Sequence, residues 1–341
     1  MEPTHRFLRA CRGLAVDRVP IWLMRQAGRY LPEYRAVRAR TDFLGLCKTP
    51  ELACEVTLQP IDLFGLDAAI LFSDILLPLE AMGLPLAFTE DGPTLPEPVR
   101  DRAAIARLCV PDAETTMPFV GAAVRQIRAA LAGRVPLIGF GGAPFTLAAY
   151  AVEGGGSTQW LRGRRLLYEA PQSAHELLGK VARTVAAALI AQVDAGAEAI
   201  QLFDSWAGVL APAEFEAFAL RHAAETIAAV KAHADVPVIY FVNGVAPVID
   251  LVRQSGADVI GIDWRVELGE ARRRLGSIPV QGNLDPVAMF APPAKIEAKA
   301  AAILRAGGGV GHIFNLGHGI LPETPVDNVR ALVAAVRSYA P

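Results

Sequence analysis

The strongest constraint on how this 341-residue chain folds is a recurrence: short, unbroken apolar runs alternate with longer helix-like stretches. The runs are Ile21–Met24, Ala68–Phe72, Pro136–Phe140, Ala199–Phe203, Pro237–Phe241, Asp258–Ile262, Ile278–Gln281 and His312–Asn315. Continuous rather than alternating apolar character suits parallel strands covered on both faces. Between the runs, Thr49 followed by Pro50 reads as an N-cap with proline at the first helical position, opening a helix that runs to Phe64 and stops at Gly65. Val181–Val193, Pro212–Ala234 and Pro292–Ala306 are likewise rich in strong helix formers. One grammar repeats. A helix closes on Gly65, Gly196 or Gly256, a polar residue follows (Asp67, Glu198 or Asp258), and a strand begins.

Eight such β/α units predict a single-domain (β/α)8 TIM barrel over residues 1–341, with the active site at the C-terminal face of the strands. A doubly wound open sheet is the alternative, weakened because no G-x-G-x-x-G follows the first run. Residues 78–100 are rich in proline and glycine and contain Leu84–Phe88, so an inserted loop or hairpin is expected after the second strand.

The formal net charge of −2 argues against the electrostatic footprint of a nucleic-acid binder, and no basic run suggests a membrane surface. No apolar stretch of bilayer length escapes interruption, and Met1–Arg9 lacks a secretory apolar core, so a cytoplasmic protein with a small-molecule partner is expected. The four cysteines, Cys11, Cys47, Cys54 and Cys109, show no C-x-x-C pair or histidine-rich neighbour and read as reduced thiols, without a metal site.

Chemistry in such a barrel gathers past the carboxyl ends of the strands. The first run ends in Arg25 and Arg29, with Gly28 between them to let the backbone approach a partner closely or turn with positive φ. Guanidinium groups at a buried strand exit bind carboxylates or phosphates, or else pair with acidic side chains elsewhere. The other strand ends supply Asp74, Asp204 with Ser205, Asn243, Asp263, Asn283 with Asp285, and His318. Asp204 and Asp263 also fit loop-capping carboxylates, and Asn283–Asp285 fits a turn bonding its own backbone. His318 is either structural or exposed by its flanking Gly317 and Gly319. Asp74, set among Phe72, Ile75, Leu76 and Leu77, must be protonated or matched by donors. The glycines of Gly139–Gly142 and Gly154–Gly156 lack a P-loop ending and suggest a wide lip around a large flat ligand, with Tyr150 facing inward.

These segments together resemble the uroporphyrinogen decarboxylase family. The resemblance rests on Pro20-Ile-Trp-Leu-Met-Arg-Gln-Ala-Gly-Arg29 and Gly139-Phe-Gly-Gly-Ala-Pro-Phe-Thr-Leu-Ala-Ala-Tyr150-Ala-Val-Glu-Gly154. Phe72-Ser-Asp74, Phe203-Asp-Ser205, Gly261-Ile-Asp-Trp264, Gln281-Gly-Asn-Leu-Asp-Pro286 and Asn315-Leu-Gly-His318-Gly match as well. The resemblance implies a cofactor-free carboxy-lyase of heme and tetrapyrrole biosynthesis, a homodimer that converts the four acetates of uroporphyrinogen III to methyl groups, giving coproporphyrinogen III. Its site maps onto Arg25, Arg29, Asp74, Tyr150, Ser205 and His318, with Asp74, Arg25 and Tyr150 catalytic. Asn243 departs from the lysine common among relatives. Two other readings compete. Corrinoid-dependent methyltransferases of the same superfamily bind zinc through late histidine and cysteine, whereas all four cysteines here precede residue 110. A tetrapyrrole carrier would bind in the same pocket without reacting.

Overall fold

The computed structural model describes residues 4–89 and 92–339; residues 1–3 of the amino-terminal segment, 90 and 91 of the insertion, and 340–341 lie outside them. Strand β1 (Ala69–Ile70) is followed by a hairpin of β2 (Ala87–Thr89) and β3 (Gly92–Thr94). Then come β4 (Leu137–Gly142), β5 (Ala199–Asp204), β6 (Val238–Val242), β7 (Val259–Gly261), β8 (Val280–Gln281) and β9 (His312–Ile313). Apart from the hairpin, neighbouring strands pair in parallel in the order β1-β4-β5-β6-β7-β8-β9. All seven fall on apolar runs anticipated above.

The eighth expected strand, Ile21–Met24, is reduced to a single parallel bridge between Ile21 and Phe314. Its position still closes the circle. Phe314 N–H donates to Pro20 O at 2.8 Å on one side, and Asp67 N–H donates to Ile21 O at 2.8 Å on the other. A longer ladder does not form because side chains take the N–H groups: Ile21 bonds Asp67 Oδ2, Leu23 bonds Gln26 Oε1, and Met24 bonds Asn315 Oδ1. The architecture is a (β/α)8-type barrel whose first strand is held largely by side chains.

Helix boundaries follow the glycine grammar. Gly65, Gly196 and Gly256 all take positive φ (64°, 118° and 77°), a region open to glycine at no steric cost, so each ends its helix and turns the chain into a strand. Helix Pro50–Phe64 forms as expected, but the Thr49 hydroxyl does not cap it; it donates backward to Gly45 O at 2.7 Å. The stretch Pro212–His233 is helical throughout, with a π-helical segment at Phe215–Leu220.

Inside the barrel, Trp22, Met24, Ile138, Ile239, Phe241, Val259 and Ile313 pack together, and Phe7, Ala10 and Cys11 of helix Arg6–Cys11 join them from the amino-terminal end of the strands. A polar chain crosses this interior: Trp22 Nε1 donates to Gln281 Oε1 at 2.9 Å, and Gln281 Nε2 to Gln201 Oε1 at 3.1 Å. With that end closed, the carboxyl ends of the strands are left for a site. The hairpin docks beside them, through the bridge Thr94–Gly155 and the bond from Leu95 N–H to Gly154 O at 2.9 Å.

Candidate active site

Arg25 sits at the end of the first barrel segment with φ of 62°, and it is this residue, not Gly28, that turns left-handed. For a side-chain-bearing residue that conformation costs on the order of 1 kcal/mol and persists where surroundings hold it. The loop carrying His318 does the holding. Ile320 N–H donates to Met24 O at 2.9 Å, and a Cβ on Gly319 would collide with Cδ, Cγ and Nε of Arg25. A Cβ on Gly317 would lie 2.5 Å from Trp264 N. The two glycines therefore serve close approach rather than exposure, and His318 is half-buried between Arg25 and Trp264. Gly319→Ala should displace the guanidinium and raise KM about tenfold while the protein still folds, since one side chain rather than backbone must yield. Steady-state kinetics beside a circular-dichroism melt would check it.

Neither Arg25 nor Arg29 forms an ion pair among the described residues, so the reading in which acidic side chains neutralise them does not hold. Burial lowers the Arg25 pKa, Tyr150 and Asp74 raise it, and the like charge of Arg29 lowers it further. Its side chain stays open to solvent on one side, and Arg29 is exposed. Two uncompensated cations side by side constitute a site for anions.

Asp74 lies half-buried past the end of β1, where Oδ1 accepts the Leu76 N–H at 2.8 Å. Burial pushes its carboxyl up to about 6, while the Leu76 N–H and the Arg25 charge pull the other way. Few protein donors stabilise the ionised form. Tyr150, buried in helix Pro144–Glu153, stands edge-on to Trp160 with ring centroids 4.9 Å apart, and Trp160 lies 4.8 Å from Trp206. Burial raises the Tyr150 pKa, and Asp74 adds to that rise. Trp206 also stands edge-on to Tyr150, with ring centroids 6.2 Å apart, and its buried indole N–H has no hydrogen-bond partner. Burial first, then Arg25 and Arg265, lower His318 to about 4, so its ring is neutral at physiological pH and keeps one donor and one acceptor nitrogen.

The remaining polar residues divide. Ser205 is half-buried, and its carbonyl accepts Asn243 Nδ2 at 3.2 Å. Asp204 is fully buried and accepts the hydroxyls of Thr146 at 2.7 Å and Tyr240 at 2.9 Å, tying β5 to β6 and to helix Pro144–Glu153. Asn283 donates to Asp263 O and Val266 O, and Asp285 caps the next turn through Val287 N–H. These three are structural. Gly139, Gly141 and Gly142 lie within β4, where a Cβ on Gly139 would come 2.7 Å from Gln192 Oε1, so this part of the supposed lip is packed strand. Sequence reasoning passed over Arg265, which bonds Asn243 Oδ1 and Asp263; its signal was its place just beyond the end of β7. Among the described residues, no cluster of three or more histidine, cysteine or acidic side chains is arranged to hold a metal, and no helix is long and apolar enough to cross a membrane.

Unpaired guanidiniums, a carboxyl above its usual range and an aromatic wall, gathered at the carboxyl ends of parallel strands, define a barrel enzyme acting on an anionic substrate. The chain belongs to the uroporphyrinogen decarboxylase family, whose profile matches residues 2–339. It is 54% identical over 340 residues to a uroporphyrinogen decarboxylase of Chloroflexus aurantiacus, covering 98% of this chain and 96% of that one. Its identity to the Trichlorobacter lovleyi protein of the same name is 52% over 334 residues, covering 97% and 98%. Among solved structures, a methyltransferase from Methanosarcina mazei superposes with a TM-score of 0.80 at 23% identity over 97% of each chain. A putative vitamin-B12-independent methionine synthase from Listeria monocytogenes gives 0.59 at 16% identity, covering 95% and 97%. These two likenesses establish the fold.

Proposed function

We propose that the whole chain acts as one barrel domain that removes the four acetate carboxyls of uroporphyrinogen III, giving coproporphyrinogen III, and does so as a cofactor-independent carboxy-lyase. The observation that carries this reading is the pair Arg25 and Arg29, without ion-pair partners, beside a half-buried Asp74 whose one protein hydrogen bond comes from the Leu76 N–H. A cyclic tetrapyrrole offers both complements: rim carboxylates for the cations and inner pyrrole N–H groups for the anion.

The chemistry needs an electron sink, and the substrate provides it. Protonation of the electron-rich pyrrole at the α-carbon next to the one bearing the acetate creates a cation shared with the acetate-bearing carbon. The bond from the acetate methylene to its carboxylate then breaks, carbon dioxide leaves, and the electron pair neutralises the ring. A proton delivered to the resulting exocyclic methylene completes the methyl group, and loss of the first proton from the ring carbon restores the aromatic pyrrole, so each cycle consumes one proton overall. Asp74 accepts the pyrrole N–H groups and stabilises the ring cation, a preplaced charge opposite the charge that develops. Donors from the ligand favour its ionised form and bring its pKa down from about 6. Arg25 and Arg29 anchor acetates and propionates, with Ser205, His318 and Tyr150 completing the contacts; Tyr150 also lies close enough to Arg25 and Asp74 to share their electrostatics.

Anaerobic incubation with uroporphyrinogen followed by chromatography tests the reading. Coproporphyrinogen is the expected product; ligand that stays bound and unchanged would indicate a carrier instead. We further propose a cytoplasmic homodimer, to be checked by light scattering.

A further inference from the structure

The mouth of the barrel carries a third cation that the family motifs do not include. Arg265 follows β7, and its side chain is 47% exposed. Its Nη1 is anchored twice, donating to Asn243 Oδ1 at 2.9 Å and to Asp263 Oδ2. Asp263 is fully buried and is itself fixed by the Gly244 N–H at 3.0 Å. The guanidinium carbon lies 4.0 Å from the centroid of the Trp264 ring, which sets the plane of the group. No protein acceptor takes Nε or Nη2 among the described residues. One edge of a rigid guanidinium is thus left open, and two parallel N–H donors on such an edge match one carboxylate bidentately.

Its location gives that edge a purpose. Asn243, which holds Nη1, also reaches Ser205 through Nδ2. Trp264 stands 6.5 Å from His318, and Arg25 occupies the other side of the same loop. Cations therefore flank the mouth from two sides. The group beside Arg25 and Asp74 is the acetate that reacts, and acetates are used up one by one. A clamp that works in every cycle must grip a side chain present in every cycle.

We infer that Arg265 is a specificity-determining residue whose Nε–Nη2 edge clamps a propionate of the substrate across the mouth from Arg25, with Asn243, Asp263 and Trp264 as its positioning residues. This rests on the proposed function and assigns that site a further contact. Because propionates persist from the eight-carboxyl substrate to the five-carboxyl last intermediate, the clamp contributes equally to both.

Steady-state kinetics of Arg265→Gln with these two substrates is the test. The expected result is a KM raised about tenfold for both, the loss of one charge-assisted interaction, with kcat within about twofold. Arg265→Lys, which keeps the charge beside Asp263 but not the fork, should recover only part of the affinity, and Trp264→Leu, which frees the plane, should raise both KM values severalfold. Unchanged KM values in Arg265→Gln would overturn the inference, as would a rise confined to the eight-carboxyl substrate, which would mark an acetate contact. If Arg265→Gln does not fold, Arg265→Lys decides by the same criterion. Wild-type protein inactive on both substrates would instead sink the decarboxylase reading.

Discussion

Asp74→Asn is expected to lose at least about a hundredfold in kcat and yet to unfold at a higher temperature than the wild type at pH 8. Both effects come from one fact: the carboxylate is placed for the substrate and is poorly served by the protein. Its pKa stands at about 6 in the fold, against an ordinary value of 3.8. A carboxyl with a raised folded pKa supports the fold fully below pH 3.8, where both states are protonated, and that support is lost as pH climbs through 6. Above that window the native state bears an ionised group held back from water, at a cost on the order of 2 kcal/mol once half-burial is allowed for. Asparagine carries no such charge. The variant should therefore gain a few degrees at pH 8, about 3 °C, and little at pH 4. Thermal melts at the two pH values, beside an activity assay, read out both halves. Near-normal turnover would remove Asp74 from the chemistry, and an equal shift at both pH values would show that shape rather than charge is responsible.

The same contrast between local and distant causes explains what the chain discloses. Seven strands and four of the helices that precede them were legible because such a unit is written locally: an apolar run, a helix, and a glycine such as Gly65, Gly196 or Gly256 that leaves the helix at positive φ. The shortness of the first strand was not legible, since its N–H groups are taken by Asp67, Gln26 and Asn315, and Asn315 lies 291 positions from the Met24 amide it serves. In the site, Arg25 and Asp74 stand out in sequence because a charge in an apolar run needs a reason. Gly317 and Gly319 carry a visible signal, but its meaning, close approach to Trp264 and Arg25, is tertiary. Asp204 resembles a site carboxylate in sequence, and only the hydroxyls of Thr146 and Tyr240, brought to it by folding, mark it as structural. Arg265 stayed hidden for the converse reason. An arginine beside an aspartate reads as a local pair, whereas here one nitrogen suffices for the aspartate and the rest of the fork is free.

Replacing Arg25 separates anchoring from acid catalysis. Arg25→Met removes a cation that forms no ion pair within the protein, so its loss falls mainly on the ligand: about two charge-assisted hydrogen bonds, each worth roughly 1.5 to 3 kcal/mol, or about a thousandfold in kcat/KM. Backbone strain does not confuse the comparison, because methionine and lysine meet the same left-handed φ of 62° that arginine already bears. His318 reports the change independently. The Arg25 charge is among the causes that hold His318 down to about 4, so in Arg25→Met its titration should move toward the ordinary value of 6.5, as measured by NMR. Arg25→Lys then decides the role. If Arg25 is an anchor, lysine retains the charge without the fork, KM rises and kcat changes little. If Arg25 is the proton donor, replacing it with a group of lower pKa alters kcat itself, shifts the pH profile and changes the solvent isotope effect. Arginine gives up a proton only above about pH 12, and although burial lowers that value in Arg25, Tyr150 and Asp74 oppose the change by favouring the charged form. A guanidinium that stays charged beside the Asp74 carboxylate is suited to gripping carboxylates through four successive decarboxylations, and the rise in KM without a fall in kcat is the outcome this geometry favours.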